Sequence, residues 1–144
     1  MDIRIIVVDP SAALMPAVFA LRHEVFVVEQ AVAPELERDE FDPVAIHVVA
    51  LRREDVVATL RIVRSGETAR IGRMAVRAAD RRRGIGSRLM HTAETVAAQT
   101  GVKEIVLHAQ RTAEAFYSRL GYRAEGETFE EAGIPHVTMR KSLA

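Results

Sequence analysis

The residues best suited to bind an anion lie in a short basic segment that contains two glycines, Gly84 and Gly86. Glycine has no Cβ, so the backbone there can turn sharply and let a bulky anion approach consecutive N–H groups. An amphipathic pattern follows and predicts a helix, whose N-terminus offers unpaired N–H donors and a partial positive charge. The surrounding arginines are Arg81, Arg82, Arg83 and Arg88. The segment therefore predicts a binding site for a phosphate or pyrophosphate group.

The spacing of the glycines distinguishes between three kinds of phosphate site. A Walker-type loop has a lysine directly after its last glycine, and no lysine follows Gly84 or Gly86. A dinucleotide-binding fingerprint would need a third glycine where Leu89 stands, and its first glycine would follow the strand directly, whereas seven residues separate Val76 from Gly84. The remaining pattern is R-x-x-G-x-G, which begins at Arg81. Taken alone, this segment could also be a flexible loop with a solvated run of arginines.

Composition restricts the class of protein and its partners. With 144 residues the chain is long enough for one domain with a packed core. The absence of cysteine excludes disulfides, thiolate metal sites and cysteine nucleophiles, and it fits a reducing compartment. No apolar run approaches the ~20 residues of a membrane span and no signal-like segment opens the chain, so we expect a cytoplasmic protein. Basic and acidic residues balance at 20 each, so we expect no nucleic acid and no membrane as partner.

The binding segment must be positioned by the elements around it. Runs rich in β-branched residues predict strands at residues 3–8, 45–52, 56–64, 68–76, 105–109, 122–127 and 135–141, the last two joined through residues 130–133. Helical spacing of apolar residues predicts helices at residues 16–29, from residue 85 to a stop at Gly101, and at residues 112–120. A strand, a helix and a strand around the binding segment imply a right-handed crossover and parallel pairing. Together these elements predict a mixed, mainly antiparallel sheet with helices packed on it.

A second motif supports the first and carries a family resemblance. Residues 113–122 read A-E-A-F-Y-S-R-L-G-Y and resemble the A-x-x-F-Y-x-x-x-G-[FY] segment of GNAT N-acetyltransferases, whose acyl-coenzyme A signature is R-x-x-G-x-G. Residues 22–30 and 133–136 are similar to the ElaA-type subgroup of that family. The resemblance implies an α/β (α+β) GNAT fold, with a mixed sheet of about six to seven strands flanked by helices and a parallel pair splayed around the cofactor site.

The resemblance also implies a donor site for acetyl-coenzyme A (acetyl-CoA), without a metal. Backbone N–H groups at residues 81–86, with Ser87 at the helix start, would hold the pyrophosphate, and the strand end would pair with the pantetheine arm. Tyr117 would protonate the departing thiolate, because a tyrosine pKa of about 10 keeps the hydroxyl protonated at neutral pH. Alternatively, Tyr117 only packs beside Phe116. The residues assigned to the cofactor are Met74, Ala75, Val76, Arg81, Arg82, Arg83, Gly84, Ile85, Gly86, Ser87, Gln110 (where many members have asparagine) and Phe116.

The general base for the acceptor amine is harder to assign. Several GNAT members use a glutamate on the strand before the binding segment, but residues 70–73 read R-I-G-R here. Two candidates, Glu29 and His47, are assigned with Tyr117 as the catalytic residues. The full set of candidate bases is Glu29, Asp39, His47, His108, Glu131 and His136. Each has a structural alternative, because a strand histidine can be buried and hydrogen-bonded, and a carboxylate can be solvated.

Other charged residues predict ion pairs and a charged loop. Arg61 and Arg73 lie in otherwise apolar strands, where an unpaired charge is costly, so each should pair with a carboxylate of the protein or of the substrate. We expect partners within the protein for both. Residues 31–43 contain Pro34 and a cluster of acidic residues, and they predict a loop or a broken helical turn. The acidic cluster is expected to be solvated, or else to attract a cationic amine.

These observations predict an N-acetyltransferase that moves an acetyl group from acetyl-CoA to a small-molecule or peptide amine. Without cysteine there is no thiol to carry the acetyl group, so the amine is expected to attack directly in a ternary complex. One alternative is a non-catalytic or regulatory module that binds acyl-CoA, and another is a nucleotide-dependent oxidoreductase. A homodimer is compatible with the sequence, but no residue identifies an interface.

Overall fold

The computed structural model describes residues 2–144, in which seven strands form one mixed sheet in the order β1-β2-β3-β4-β5-β7-β6. The strands are β1 (Ile3–Val8), β2 (Ile46–Arg52), β3 (Asp55–Ser65), β4 (Thr68–Val76), β5 (Glu104–Gln110), β6 (Arg123–Glu131) and β7 (Ile134–Ser142). The helices are α1 (Met15–Arg22), a π-helical segment (His23–Glu29), α2 (Pro34–Glu37), α3 (Ile85–Gln99) and α4 (Glu114–Arg119), with short 3₁₀ turns at Asp42–Val44, Ala78–Asp80 and Arg111–Ala113. The predicted α+β fold is confirmed. Among residues 2–144, no helix has the length and apolar character of a membrane span.

The parallel strands β4 and β5 leave a gap in the middle of the sheet. They pair from Thr68 opposite Glu104 to Ile71 opposite Leu107, and the described pairing stops there. The last five residues of β4 and the last three of β5 therefore extend past the paired region. Helix α3 connects the two strands, so the predicted parallel pairing across a helical crossover is confirmed.

A bulge in β4 lies beside this gap. Thr59 of β3 is opposite Ala75, but two residues later Arg61 is opposite Gly72, so β4 has one residue more than β3 over this stretch. Arg73 lies within it and has a left-handed φ of 52°. After the bulge, Ala75 packs into the apolar cluster beneath the π-helical segment, while its two neighbours pack on the opposite face.

Helix α3 covers one face of the sheet with its apolar side. Its buried residues are Ile85, Leu89, Met90, Ala93 and Ala97, which join one apolar cluster with residues of the central strands. This confirms the predicted apolar face, except that Val96 is only partly buried against the cluster. Gly101 has a positive φ of 91°, which a residue with a Cβ rarely adopts, and it follows the helix end as predicted.

The other face is covered by α1 and the π-helical segment, where one continuous α-helix was predicted at residues 16–29. From His23 onward the helix widens, and the N–H of Gln30 bonds to the carbonyl of Val25 at 3.2 Å. Val25 and Phe26 follow Leu21 by four and five residues. The wider turn lets all three enter the same apolar cluster. A hydrophobic pattern does not separate these two helix types, which is why the sequence missed the change.

Three carboxylates of the acidic loop after the π-helical segment, Glu37, Asp39 and Asp42, are held in ion pairs, which corrects the expectation of a solvated or amine-attracting cluster, whereas Glu35 and Glu40 are exposed. Glu37 and Asp42 are only 4% and 5% exposed. Arg22, at the end of α1, pairs with both, at 3.0 Å and 2.6 Å. The remaining pairs are Arg61 with Asp39 and Asp42, and Arg73 with Glu37 and Asp39. The expected internal partners of Arg61 and Arg73 are therefore confirmed, and three arginines neutralise three of the loop's carboxylates.

The β6–β7 hairpin extends further than predicted. The turn was expected at residues 130–133, but Glu131 is the last residue of β6 and pairs with Ile134. Ala132 and Gly133 alone make the turn, with φ values of 53° and 77°. Two positive φ values are typical of a type I′ turn, whose twist matches that of the flanking strands. Glu131 therefore lies on the sheet, where its side chain has a defined position.

Candidate active site

The turn between β4 and α3 presents the start of α3 without a side-chain cap. Gly84 is the N-cap residue with a left-handed φ of 78°, and Arg82 is also left-handed, with a φ of 64°. Among residues 2–144, no side chain caps the helix, and its first turn contains no acidic residue. The N–H of Arg88 bonds to the carbonyl of Gly84 at 3.1 Å. The N–H groups of residues 85–87 are the orphan donors of this terminus and suit an anionic ligand.

Gly86 allows α4 to pack against the start of α3. A Cβ at this position would lie 3.2 Å from Cζ of Phe116 and 3.8 Å from Cε of Met74. Three residues that the sequence assigned to the cofactor site therefore lie close together. The structure explains this glycine by close packing of Phe116, a reason that differs from the anion approach inferred from the sequence.

Tyr117 follows Phe116 on α4 and is 9% exposed. Its ring packs edge-on against Phe116 and Tyr122, with ring centroids 5.0 Å and 6.0 Å away. Within residues 2–144, no group hydrogen-bonds its hydroxyl. Burial raises the pKa of Tyr117 to about 12. The hydroxyl is therefore protonated at neutral pH and available to donate, in addition to the packing role that was the alternative.

Arg81 links the end of β4 to the end of the π-helical segment. Its Nη1 and Nη2 atoms lie 2.5 Å and 2.7 Å from the two carboxylate oxygens of Glu29, and its Nε donates to the carbonyl of Val76 at 2.9 Å. The hydrogen bond from Arg81 lowers the pKa of Glu29. Glu29, predicted as catalytic, is therefore an ion-pair partner and a weaker base than a free carboxylate. Arg81 is therefore held in place by these contacts, which differs from the alternative of a solvated arginine.

A hydrogen bond between two glutamines connects the end of β5 to the residue after the π-helical segment. Gln110, at the end of β5, donates from Nε2 to Oε1 of Gln30 at 2.8 Å. Gln30 directly follows the π-helical segment, and the two residues are 80 positions apart in the chain. Together with the Arg81–Glu29 pair, this bond ties the π-helical segment to both strands that border the gap.

Two candidate bases, Asp39 and His47, lie in or beside the buried ion pairs. His47 is 1% exposed, and its Nε2 lies 3.1 Å from the carbonyl of Asp42. Burial lowers the pKa of His47. For Asp39, burial acts to raise the pKa, but the hydrogen bond and charge of Arg61 outweigh it, so the pKa is lowered. The alternative of a buried, hydrogen-bonded histidine describes His47, and its surroundings give no support to the predicted catalytic role.

The other three candidates, His108, Glu131 and His136, form one cluster on β5, β6 and β7. Nδ1 of His108 lies 2.9 Å from Oε1 of Glu131, and Nε2 of His136 lies 3.8 Å from Oε2 of the same carboxylate. Arg70 on β4 reaches Nδ1 of His108 at 2.8 Å. Phe129 packs edge-on against His108 and stacks on His136. Within residues 2–144, no group of three or more His, Asp or Glu side chains is arranged to hold a metal ion.

Comparison with known proteins identifies the family to which this chain belongs. Residues 10–143 match the family model described as an acetyltransferase (GNAT) domain. The chain belongs to the GNAT acetyltransferase family. It is therefore an acyltransferase by family membership.

Relatives of this GNAT chain place it in the ElaA-type subgroup. Protein ElaA of Escherichia coli is 33% identical over 138 residues, which cover 92% of this chain and 90% of ElaA. The crystal structure of ElaA aligns with a TM-score of 0.87 at 29% identity, covering 97% of this chain and 99% of that one. YjcF of Bacillus subtilis, described as an uncharacterized N-acetyltransferase, is 37% identical over 124 residues, 85% of this chain and 89% of YjcF. An acyl-CoA N-acyltransferase from Pseudomonas aeruginosa aligns with a TM-score of 0.88 at 32% identity, covering 97% and 99%.

The GNAT site departs from one expected feature, because β4 has arginines at positions 70 and 73 and no glutamate between them. A carboxylate reaches this strand from the hairpin instead, with Oε1 of Glu131 3.6 Å from Nη2 of Arg70. Sequence analysis missed the contributions of Gln30, Arg70 and Phe129. The cross-strand position of Phe129 opposite His136 could have been inferred only from the correct hairpin turn. No local pattern links Gln30 to Gln110.

Proposed function

We propose that this GNAT chain transfers the acetyl group of acetyl-CoA to a primary amine of a small molecule or peptide, by direct attack in a ternary complex. The observation that carries the proposal is the hydroxyl of Tyr117. The Tyr117 side chain is 9% exposed, its hydroxyl has no partner within residues 2–144, and burial raises its pKa to about 12, which keeps it protonated. A proton donor of this kind is what a departing thiolate requires.

The residues around the gap fit acetyl-CoA. The start of α3 at residues 85–87 offers N–H donors for the pyrophosphate, and a turn with left-handed φ angles at Arg82 and Gly84 leads into it. Beyond Ile71, β4 pairs with β3 on one edge only, so residues 74–76 can pair with the amide groups of the pantetheine arm on the other edge. Acetyl-CoA supplies an activated thioester.

In the proposed reaction, the amine nitrogen bonds to the thioester carbonyl carbon and the carbon–sulfur bond breaks. Tyr117 gives its proton to the sulfur, and the amine nitrogen loses one proton to a base or to water, so that an amide and a free thiol result. A backbone N–H near Ala75 or Val76 is assigned to polarise the carbonyl oxygen. Because the chain has no cysteine, it cannot form an acetyl-cysteine intermediate, and this favours direct attack.

The experiment is to mix the protein with acetyl-CoA and a panel of primary amines and to measure free thiol. The protein adds no background because it has no cysteine. We expect thiol release with at least one amine, and a loss of roughly 10²- to 10⁴-fold in turnover for Tyr117→Phe with nearly unchanged affinity for CoA in calorimetry. Equal losses of turnover and affinity would contradict the leaving-group role. A wild-type protein that binds CoA but acetylates no amine would instead favour a binding module without catalysis.

A further inference from the structure

His108 and Glu131 form a hydrogen-bonded histidine–carboxylate pair on the face of the sheet that α1 and the π-helical segment cover. The alternation of β5 puts His108 opposite the buried residues that pack against α3. The two side chains are 26% and 38% exposed, so the pair is accessible to a bound molecule without being fully solvated. We propose that His108 is the general base that takes a proton from the acceptor amine and that Glu131 positions its ring, an inference that rests on the proposed transferase function.

The position of His108 in the sheet suits this role. Leu107 is the last residue of β5 that pairs with β4, so His108 is the first residue along the gap. It lies on the same face as Gln110, whose side chain donates to Gln30 at the end of the π-helical segment. Tyr117 belongs to the cluster beneath α3 on the opposite face. The donor of a proton to the sulfur and the acceptor of a proton from the amine therefore lie on opposite sides of the sheet.

Two groups compete for Nδ1 of His108, and the outcome decides whether the ring can act as a base. Glu131 Oε1 lies 2.9 Å from this nitrogen and Arg70 Nη2 lies 2.8 Å from it. A protonated Nδ1 donates to Glu131 and leaves Nε2 free to accept a proton. An unprotonated Nδ1 accepts from Arg70, and Nε2 then carries the proton of the neutral ring. Only the tautomer with its proton on Nδ1 can act as a general base through Nε2.

The charge of Glu131 favours the first tautomer. Burial acts to raise the pKa of Glu131, but its hydrogen bond with His108 and the positive charge beside it, including that of Arg70, outweigh burial and lower the pKa. Glu131 is therefore an ionised acceptor at neutral pH. An ionised carboxylate forms a stronger hydrogen bond with an imidazole N–H than a neutral acceptor does.

Besides His108, two charged or titratable residues face Glu131, namely Arg70 from β4 and His136 from β7. His136 is unsuited to act as the base, because its Nδ1 donates to the carbonyl of Ile134 at 2.6 Å and its Nε2 faces Glu131. Its ring stacks on Phe129, with a centroid distance of 6.0 Å. The edge of Phe129 in turn packs against His108 at 5.0 Å. These contacts fix the orientation of the His108 ring.

The proton balance of the step is simple. As the nitrogen–carbon bond forms and the carbon–sulfur bond breaks, one proton passes from the amine nitrogen to Nε2 of His108. The sulfur receives the proton of Tyr117. The imidazolium that results keeps its Nδ1–H bond to Glu131, which stabilises the positive charge. Both residues return to their starting states by exchange with solvent.

The first test compares three variants with the best acceptor from the amine panel, at saturating acetyl-CoA. We expect His108→Ala to lower turnover by roughly 10²- to 10⁴-fold and Glu131→Gln by about tenfold or more, with CoA affinity within twofold of wild type. The matched control is His91→Ala, an exposed histidine on α3, which should retain full turnover. Added imidazole should restore part of the activity of His108→Ala, an effect that a purely structural role would not give. Turnover of His108→Ala within threefold of the control would overturn the proposal while leaving the transferase function intact.

The second test needs no acceptor. Long-range ¹H–¹⁵N NMR of the wild-type protein bound to CoA reports which ring nitrogen of His108 carries the proton. We expect the Nδ1–H tautomer in the wild type and a shift toward the Nε2–H tautomer in Glu131→Gln, where Arg70 becomes the stronger partner. A wild-type ring with its proton on Nε2 would overturn the proposal, even if the protein proves to be an active transferase.

Discussion

Replacing Asp42 with asparagine removes one of the carboxylates that hold the acidic loop against the sheet. Asp42 is 5% exposed and accepts hydrogen bonds from Arg22 at 2.6 Å and from Arg61 at 2.9 Å. Its other oxygen accepts the backbone N–H of Asp39 at 3.1 Å. Asparagine keeps the shape but not the charge, so the two buried guanidinium groups would share one carboxylate fewer.

The pKa of Asp42 determines how much stability the substitution removes and how this loss depends on pH. Burial acts to raise this pKa, but the hydrogen bonds from Arg22, the Asp39 N–H and Arg61 lower it from 3.8 to about 2. A lowered folded-state pKa adds stability that is complete above the unfolded value and is lost as the pH falls through the folded value. The pKa shift of Asp42 corresponds to a contribution of about 2 kcal/mol to the free energy of unfolding at pH 7, and roughly half of this contribution remains at pH 3.

We therefore expect Asp42→Asn to lower the free energy of unfolding by about 2 to 4 kcal/mol at pH 7, and by about half as much at pH 3. The upper figure reflects the cost of leaving buried arginines short of a partner. Urea titrations followed by circular dichroism at both pH values would measure this. Glu40→Gln in the same loop is the matched control, since Glu40 is exposed, and it should change stability by less than about 0.5 kcal/mol. If Asp42→Asn behaves like the control, or shows the same deficit at both pH values, the reasoning from the buried ion pairs is refuted.

Two further predictions concern the donor side. Gly86→Ala should cost about 1 to 3 kcal/mol in thermal or urea unfolding, because its Cβ would lie 3.2 Å from Phe116, and adding Phe116→Leu should recover part of the loss. A lack of recovery would show that the contact with Phe116 is not the cause. The raised Tyr117 pKa of about 12 means that turnover should not decline between pH 8 and pH 10 through loss of its proton. An alkaline decline that disappears in Tyr117→Phe would contradict that pKa.

Strands and turns with strong local signals could be predicted from the sequence. The predicted bounds of β1 and β4 match the structure. β1 is a β-branched run that ends before Asp9 and Pro10, and β4 begins directly after the turn at residues 65–67. The parallel pair followed from the order of strand, helix and strand. The partners of Arg61 and Arg73 could be predicted as a class, since a buried charge needs a counter-charge, but not by name.

Features that depend on long-range register could not be predicted. The pair of His108 with Glu131 requires β7 to lie between β5 and β6, an order that differs from the order in the chain. It also requires a two-residue turn, and the sequence placed Glu131 in a longer one. Likewise Arg22 and Asp42 meet across 20 positions because the loop folds back onto the sheet. Local hydropathy contains no information on either contact.

The two arginines of β4 bind carboxylates from other parts of the chain, so carboxylates lie beside this strand although it has no glutamate of its own. Arg73 pairs with two carboxylates of the acidic loop, Glu37 at 3.0 Å and Asp39 at 3.2 Å. Both carboxylates are buried or partly buried, and both also pair with other arginines. Arg70 draws Glu131 from the hairpin on the other side, at 3.6 Å, and this carboxylate is more exposed and also bonded to a histidine. A carboxylate that several arginines neutralise stabilises the fold but has little basicity left. A carboxylate that is shared with an accessible histidine can instead direct proton transfer, which is why we assign the chemistry to the hairpin side and the stability to the loop side.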